Sequence, residues 1–187
     1  DSVKKGYEVT CNLMAISKCQ ESDVKIALKL LSQAPISAMY IVDSFGSLYP
    51  EEIRRLVAIY KEIMEPAGIK LGIHAHNNQQ CAFANTIEAL SVGVSYLDAT
   101  VCGMGRGAGN CALENLLGFL KNPRYRLDPM LRFIPQYMLP LRASGLHWGY
   151  DIPYMLTGLT NQHPRTAIAA IKHGDTNFAD FYQMLLD

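Results

Sequence analysis

The chain has 187 residues, 49% of them hydrophobic and 18% charged, which supports one sizeable core and argues against disorder. Lysine plus arginine and aspartate plus glutamate each total 17, for a formal net charge of zero. That balance removes the electrostatic case for nucleic acid or an anionic membrane as partner. No apolar run approaches the ~18 residues of a membrane-spanning helix, and the opening Asp-Ser-Val-Lys-Lys lacks a signal-peptide core.

Five cysteines stand at 11, 19, 81, 102 and 111. Their odd number and the lack of CxxC spacing fit free thiols in a reducing cytosol better than a disulfide scaffold or a thiolate zinc site. A cytoplasmic location is therefore expected.

Two kinds of segment alternate along the first 121 residues. Residues 7–17 are rich in β-formers and read as a strand. Residues 20–32 repeat Val24, Ala27, Leu28 and Leu31 at helical spacing. Ala38–Asp43 is a short buried-strand run. Residues 50–65 read as a helix with a proline and two glutamates in its first turn, where free N–H groups and the macrodipole favour them. A third strand is expected over 69–76, a third helix over 79–92, a fourth strand over 94–101 and a fourth helix over 110–121. Near-continuous apolar strands separated by helices specify a parallel sheet buried by those helices. From about residue 122 the strand signals stop, and 128–144, 153–160, 164–173 and 177–186 read as helical or mixed. The division expected is therefore 1–121 for the βα units and 122–187 for a C-terminal helical region packed on them.

Four parallel βα units fit either a doubly wound sheet or part of a (β/α)8 barrel. A whole barrel takes ~250 residues, so this length allows only part of one.

The sharpest chemical feature is Gly72-Ile73-His74-Ala75-His76-Asn77-Asn78, at the end of the third strand. Side chains at i and i+2 share a strand face, with Cα atoms roughly 6–7 Å apart. Two converging imidazoles suit a divalent metal, and groups that act in parallel α/β folds gather at the carboxyl ends of strands. Two polar residues ending a strand is the plainer alternative, and two histidines do not complete a site. The second feature is the glycine-rich run 103–110. Gly103, Gly105 and Ala108 mimic a dinucleotide fingerprint, but no strand with an acidic end follows at the required distance. Asn110 there is either a helix N-cap or a site residue. The third is Asp43-Ser44-Phe45-Gly46 before Pro50, which could cap a loop, orient a neighbouring ligand or hold a substrate carboxylate. Asp98 is open in the same way, and His147, Trp148, Tyr150 and Tyr154 cluster in the tail.

In order and spacing these motifs resemble the DRE-TIM metallolyase superfamily, the HMG-CoA lyase-like enzymes. Asp43-Ser44-Phe45-Gly46 with Pro50 resembles its D-[ST]-x-G-x-x-x-P, and His74-Ala75-His76-Asn77 its H-x-H-N. The run from Gly103 to Asn110, continuing to Leu113-Glu114, resembles its G-x-G-x-x-A-G-N-x-x-L-E. The likeness covers about residues 7–120. Ala75, Ser44 and Asp98-Ala99-Thr100 are similar to the 4-hydroxy-2-oxovalerate aldolase branch, whereas Asn78 and Arg106 depart from the acyl-CoA synthases.

The resemblance implies the C-terminal half of a (β/α)8 barrel, with the first-strand Arg-Asp pair of the family absent. It implies retro-aldol cleavage of a 4-hydroxy-2-oxo acid to pyruvate and an aldehyde. His74 and His76 would be metal ligands, for Mn²⁺ first and Mg²⁺ or Co²⁺ as alternatives. Ser44 would bind the substrate carboxylate, Asn110 would sit beside the metal as ligand or positioning group, and Tyr150 would deliver a proton, with Tyr154 as second choice. It further implies a homo-oligomer, an aldehyde dehydrogenase partner as in the family, and no activity for a half-barrel by itself. An acyl-CoA-dependent lyase or condensing enzyme, and a non-catalytic barrel fragment, are the competing readings.

Overall fold

In the computed structural model, which describes residues 1–187, strands and helices alternate through four units. They are β1 (Thr10–Leu13), α1 (Glu21–Leu31), β2 (Ala38–Asp43), α2 (Pro50–Met64), β3 (Lys70–Ala75), α3 (Ala82–Ser91), β4 (Tyr96–Leu97) and α4 (Leu113–Leu120). All neighbouring strands pair in parallel, in the spatial order β1-β2-β3-β4. Helix α2 starts where its sequence says: Pro50 needs no N–H partner in the first turn, and Glu52 accepts from the Tyr49 N–H at 3.0 Å.

The alternation of side chains along the strands decides the architecture. Met39 and Ile41 of β2 and Leu71, Ile73 and Ala75 of β3 enter one core of 21 buried residues, together with Val24 and Leu28 of α1, Ile53 and Tyr60 of α2, Ala89 of α3 and Leu116 of α4. All four helices thus cover one face. The other face carries Ala38, Tyr40 and Val42 packed with Tyr96. A doubly wound sheet reverses its strand order and has helices on both faces; this sheet keeps chain order with helices on one face. Right-handed crossovers on one side give a sheet segment of the barrel type.

Two expected strands are shorter than their sequence suggests. The segment 7–17 is a strand only over Thr10–Leu13. Ala15 turns into the left-handed region (φ 52) and gives its N–H to Ser44 Oγ at 2.7 Å, and a 3₁₀ turn follows over Ile16–Lys18. The segment 94–101 is a strand only over Tyr96–Leu97. Beyond it, Thr100 turns to the chain after the glycine loop, donating to Cys111 O (3.0 Å) and accepting from Leu113 N (2.8 Å).

The tail holds α5 (Leu127–Phe133), a π turn (Ile134–Met138), α6 (Leu139–Ala143), α7 (Ile152–Leu159), α8 (Arg165–His173) and α9 (Phe178–Leu186). Pro135 and Pro140 interrupt the first run, since each lacks the N–H that a regular α ladder needs. Leu156, Ala170, Phe181 and Leu185 form a second small core. No helix is long and apolar enough to cross a membrane.

The tail lies across the ends of the strands. Asn161 exchanges two hydrogen bonds with Ser17 beyond β1 (2.8 and 2.9 Å). His163 meets the Phe45 ring edge-on at 5.5 Å beyond β2. Gly158 comes so close that a Cβ there would lie 2.8 Å from Asn78 Cβ and 3.1 Å from Gly46 O. Trp148 Nε1 donates to Cys102 O at 2.9 Å and Gly149 N to Gly107 O at 3.0 Å, beyond β4.

Candidate metal and active site

His74 and His76 do share a face, the one opposite the helices, because their neighbours Ile73 and Ala75 are taken into the core. Their rings lie edge to face with centroids 5.0 Å apart. Each is held by its Nδ1. That of His74 is 3.0 Å from Asp98 Oδ2, and that of His76 is 2.8 Å from the Asp43 carbonyl oxygen. Both partners are acceptors, so the neutral form of each ring carries its proton on Nδ1 and leaves the Nε2 lone pair free. Outer contacts of this kind orient imidazoles that bind metals. Burial holds the His76 pKa below the usual value, the Asp43 carbonyl opposing and the His74 and Arg106 charges adding to the shift. A neutral imidazole is the form that can ligate.

Asp43 ends β2 and is fully buried. Its two carboxylate oxygens accept from Ser47 N (3.0 Å) and Leu48 N (3.1 Å). Burial raises its pKa to about 6, and those backbone donors pull against the rise. Asp43 therefore shapes the loop after β2 with its side chain and braces His76 with its carbonyl. Ser44 is buried beside it, with Oγ accepting from Ala15 N.

The glycine loop brings Asn110 to the histidines. Asn77 N donates to Gly109 O at 2.9 Å, and His76 and Asn110 form an isolated antiparallel bridge. Gly109 is required there: its φ is 82°, and a Cβ would lie 2.2 Å from Gly103 O. This placement overturns the N-cap role considered for Asn110. Helix α4 begins at Leu113, with Ala112 as its N-cap residue; the Asn110 backbone instead bridges His76 just beyond β3 and gives its N–H to Gly103 O at 3.0 Å. The Asn110 side chain gives Nδ2 to Met104 O at 3.0 Å and leaves Oδ1 buried with no donor.

The two imidazole Nε2 atoms are donors that suit a divalent cation of the first transition row; Asn110 joins them through its backbone bridge to His76, while its side chain packs against Gly105 and Met104 O. The imidazoles would supply only part of a coordination shell, since no three His, Cys, Asp or Glu side chains converge in this chain.

The tail tyrosines lie on the glycine-loop side. Tyr154 packs its ring where a Gly107 Cβ would fall (2.9 Å) and accepts from Asn78 Nδ2 through its carbonyl (3.2 Å); burial raises its pKa. Tyr150 is 54% exposed and lines a cleft of about 390 Å³ with His147, Trp148, Asp151 and Tyr154. The structure thus brings His74, His76 and Asn110 together, sets Ser44 under the loop after β2, and leaves Tyr150 at the rim. Sequence reasoning missed Tyr40. Its ring covers Gly72, and burial first, then the Asp98 charge, pushes its pKa up to about 12. A glycine two residues before His74 was the one available signal, and it does not name its partner.

A sequential parallel sheet with helices on one face and polar side chains at the carboxyl ends of its strands is the architecture of a (β/α)8-barrel segment. The chain belongs to the HMGL-like family, whose model matches residues 2–133. It is 36% identical over 117 residues to an oxaloacetate decarboxylase of Mycobacterium tuberculosis, covering 63% of this chain and 34% of that protein. It is 35% identical over 123 residues to a 4-hydroxy-2-oxovalerate aldolase of Bacillus thuringiensis, covering 66% and 35%. The chain spans about a third of the length of these curated relatives. Among solved structures, the N-terminal domain of a Bacteroides vulgatus protein described as an aldolase superposes with a TM-score of 0.78 at 30% identity, covering 90% of this chain and 56% of that one. The carboxyl transferase domain of Rhizobium etli pyruvate carboxylase, with pyruvate and biocytin, superposes at 0.70 with 18% identity, over 99% of this chain and 34% of that one; this likeness concerns the fold. The curated relatives are carbon–carbon lyases of the aldolase and decarboxylase kinds.

Proposed function

We propose that this chain is the metal-binding half of a divalent-metal-dependent aldolase that cleaves a 4-hydroxy-2-oxo acid, such as 4-hydroxy-2-oxovalerate, to pyruvate and an aldehyde. The observation that carries the reading is the pair His74 and His76, on one face at the end of β3, each held by Nδ1 with Nε2 free. His74, His76 and Asn110 would hold the cation, with Mn²⁺ the first candidate and Mg²⁺ or Co²⁺ the alternatives. When bound, the cation acts as a Lewis acid that draws off the negative charge developing on the 2-oxo acid fragment.

The rest falls to side chains. Loss of the 4-hydroxyl proton to a base drives cleavage of the C3–C4 bond; its electron pair becomes the enolate of pyruvate, and protonation at C3 completes the product. Ser44 would hold the substrate carboxylate. Tyr150, or Tyr154 beside it, would supply the proton. The base and the remaining cation ligand come from outside these four βα units. The assembled protein would be a cytoplasmic homo-oligomer, and an aldehyde dehydrogenase is the partner suited to take the aldehyde product.

A second reading has its own support. Oxaloacetate loses carbon dioxide by breaking the same C3–C4 bond to the same enolate, and one 36% identical relative is named for that reaction. The test is pyruvate release by the whole protein from 4-hydroxy-2-oxovalerate and from oxaloacetate, with and without Mn²⁺. Metal-dependent turnover of the first supports the aldolase; turnover of the second alone selects the decarboxylase; turnover of neither rejects both. Ser44→Ala should raise KM for the 2-oxo acid several-fold. A change confined to thermal stability would assign Ser44 to the loop.

A further inference from the structure

The two histidines are braced in different ways. His76 leans on a main-chain carbonyl, which any residue at position 43 would supply. His74 leans on a side chain, that of Asp98. We propose that Asp98 is a positioning residue: its carboxylate fixes His74 as the Nδ1–H tautomer and so presents the Nε2 lone pair to the cation, while Tyr40, seated over Gly72, steadies the carboxylate.

The register shows how the strands build this. Tyr40, Gly72 and Tyr96 stand in one row across β2, β3 and β4. The next row on the same face, two residues on, is Val42, His74 and Asp98. Asp98 is thus delivered beside His74 by strand pairing, and Asp98 N bonds Ile73 O at 3.0 Å to hold that register. In the lower row the two tyrosine rings lie 6.2 Å apart, and the Tyr40 ring fills the space over Gly72, where a Cβ would fall within 2.5 Å of it. That seat puts the Tyr40 hydroxyl close enough to feel the Asp98 charge. The Asp98 side chain is 40% exposed, so a single bond to His74 would leave it mobile, and the neighbouring tyrosine hydroxyl is the group available to restrain it. A carboxylate only accepts, so Nδ1 must carry the proton. An amide in its place can donate to Nδ1 and move the proton to Nε2, closing the ligand position.

This inference rests on the reading of His74 and His76 as cation ligands, and two measurements on the whole protein, with the rest of its barrel, separate the two ideas. Long-range proton–nitrogen NMR of the metal-free protein, above the imidazole titration, reports the His74 tautomer. Calorimetry reports Mn²⁺ affinity. The wild type should show Nδ1–H. Asp98→Asn should lose that tautomer and bind Mn²⁺ about 10–100-fold more weakly. Asp98→Glu, which restores the acceptor, should recover the Nδ1–H form, and Tyr40→Phe should fall between. Asp98→Asn with a wild-type tautomer and an Mn²⁺ affinity within twofold overturns the positioning role and leaves the cation reading standing. A wild type that shows the tautomer effect but takes up no Mn²⁺ overturns the cation reading and leaves the Asp98–His74 coupling standing.

Discussion

The two faces of the sheet are made from the same strands and do opposite work. On β3, Leu71, Ile73 and Ala75 enter the 21-residue core under the helices, while Gly72, His74 and His76 alternate with them on the other face. The helix-covered face holds the fold by apolar burial, worth about 1.5–3 kcal/mol for each large side chain. The opposite face spends its positions on a tyrosine row, two imidazoles and a carboxylate. The comparison shows why a βα unit can carry a site at little cost to its core: period-two alternation assigns stability and chemistry to different residues of one strand.

Neighbouring substitutions can break or sharpen this contrast. Ile73→Ala empties a fully buried position under the helices and should cost about 2–5 kcal/mol in chemical denaturation. His74→Ala, one residue on, should change stability by about 1 kcal/mol or less, yet lower metal-dependent turnover of the whole protein by about 100-fold or more. If the two variants traded these outcomes, the division of labour between the faces would be wrong. Gly72→Ala should cost about 1–3 kcal/mol by driving a Cβ into the Tyr40 ring. In the background of Tyr40→Ala the same change should cost far less, a coupling that a double-mutant cycle measures. The smallest effect is expected in the tail. Trp148→Phe removes the bond to Cys102 O and should cost about 1 kcal/mol, read as faster amide exchange around residues 148–149 with the sheet core unchanged.

Much of this was legible in the sequence. The run Ala38–Asp43 is a strand over just those residues, buried throughout, as its shortness and its Tyr-Ile-Val centre favour. Helix α2 starts at Pro50 as its first-turn residues require. The histidine pair was visible because i, i+2 spacing on a strand fixes a face. Strand ends were not: residues 7–17 and 94–101 have the composition of strands, but Ala15 and Thr100 leave the ladder for partners 29 residues away in one case and across the glycine loop in the other. Asn110 looked like a helix start because small and polar residues precede a helical run, and only the bridge to His76 shows where its backbone goes. The choice of His74 as the neighbour of Asp98, and the identity of Tyr40, were hidden for a single reason. Both depend on which residues stand side by side in adjacent strands, and register is a tertiary fact.

The strap laid over the strand ends has a consequence for the order in which the molecule assembles. Ser17 and Asn161 are 144 positions apart in sequence, so their contact closes one of the longest loops the chain can make, whereas each βα unit closes over a short one. On a ribosome these βα units can form before the tail contact is made. In the mature protein the same separation works in reverse. The strap is the piece that can lift without melting the sheet, so the rim should open to solvent many times for each global unfolding event.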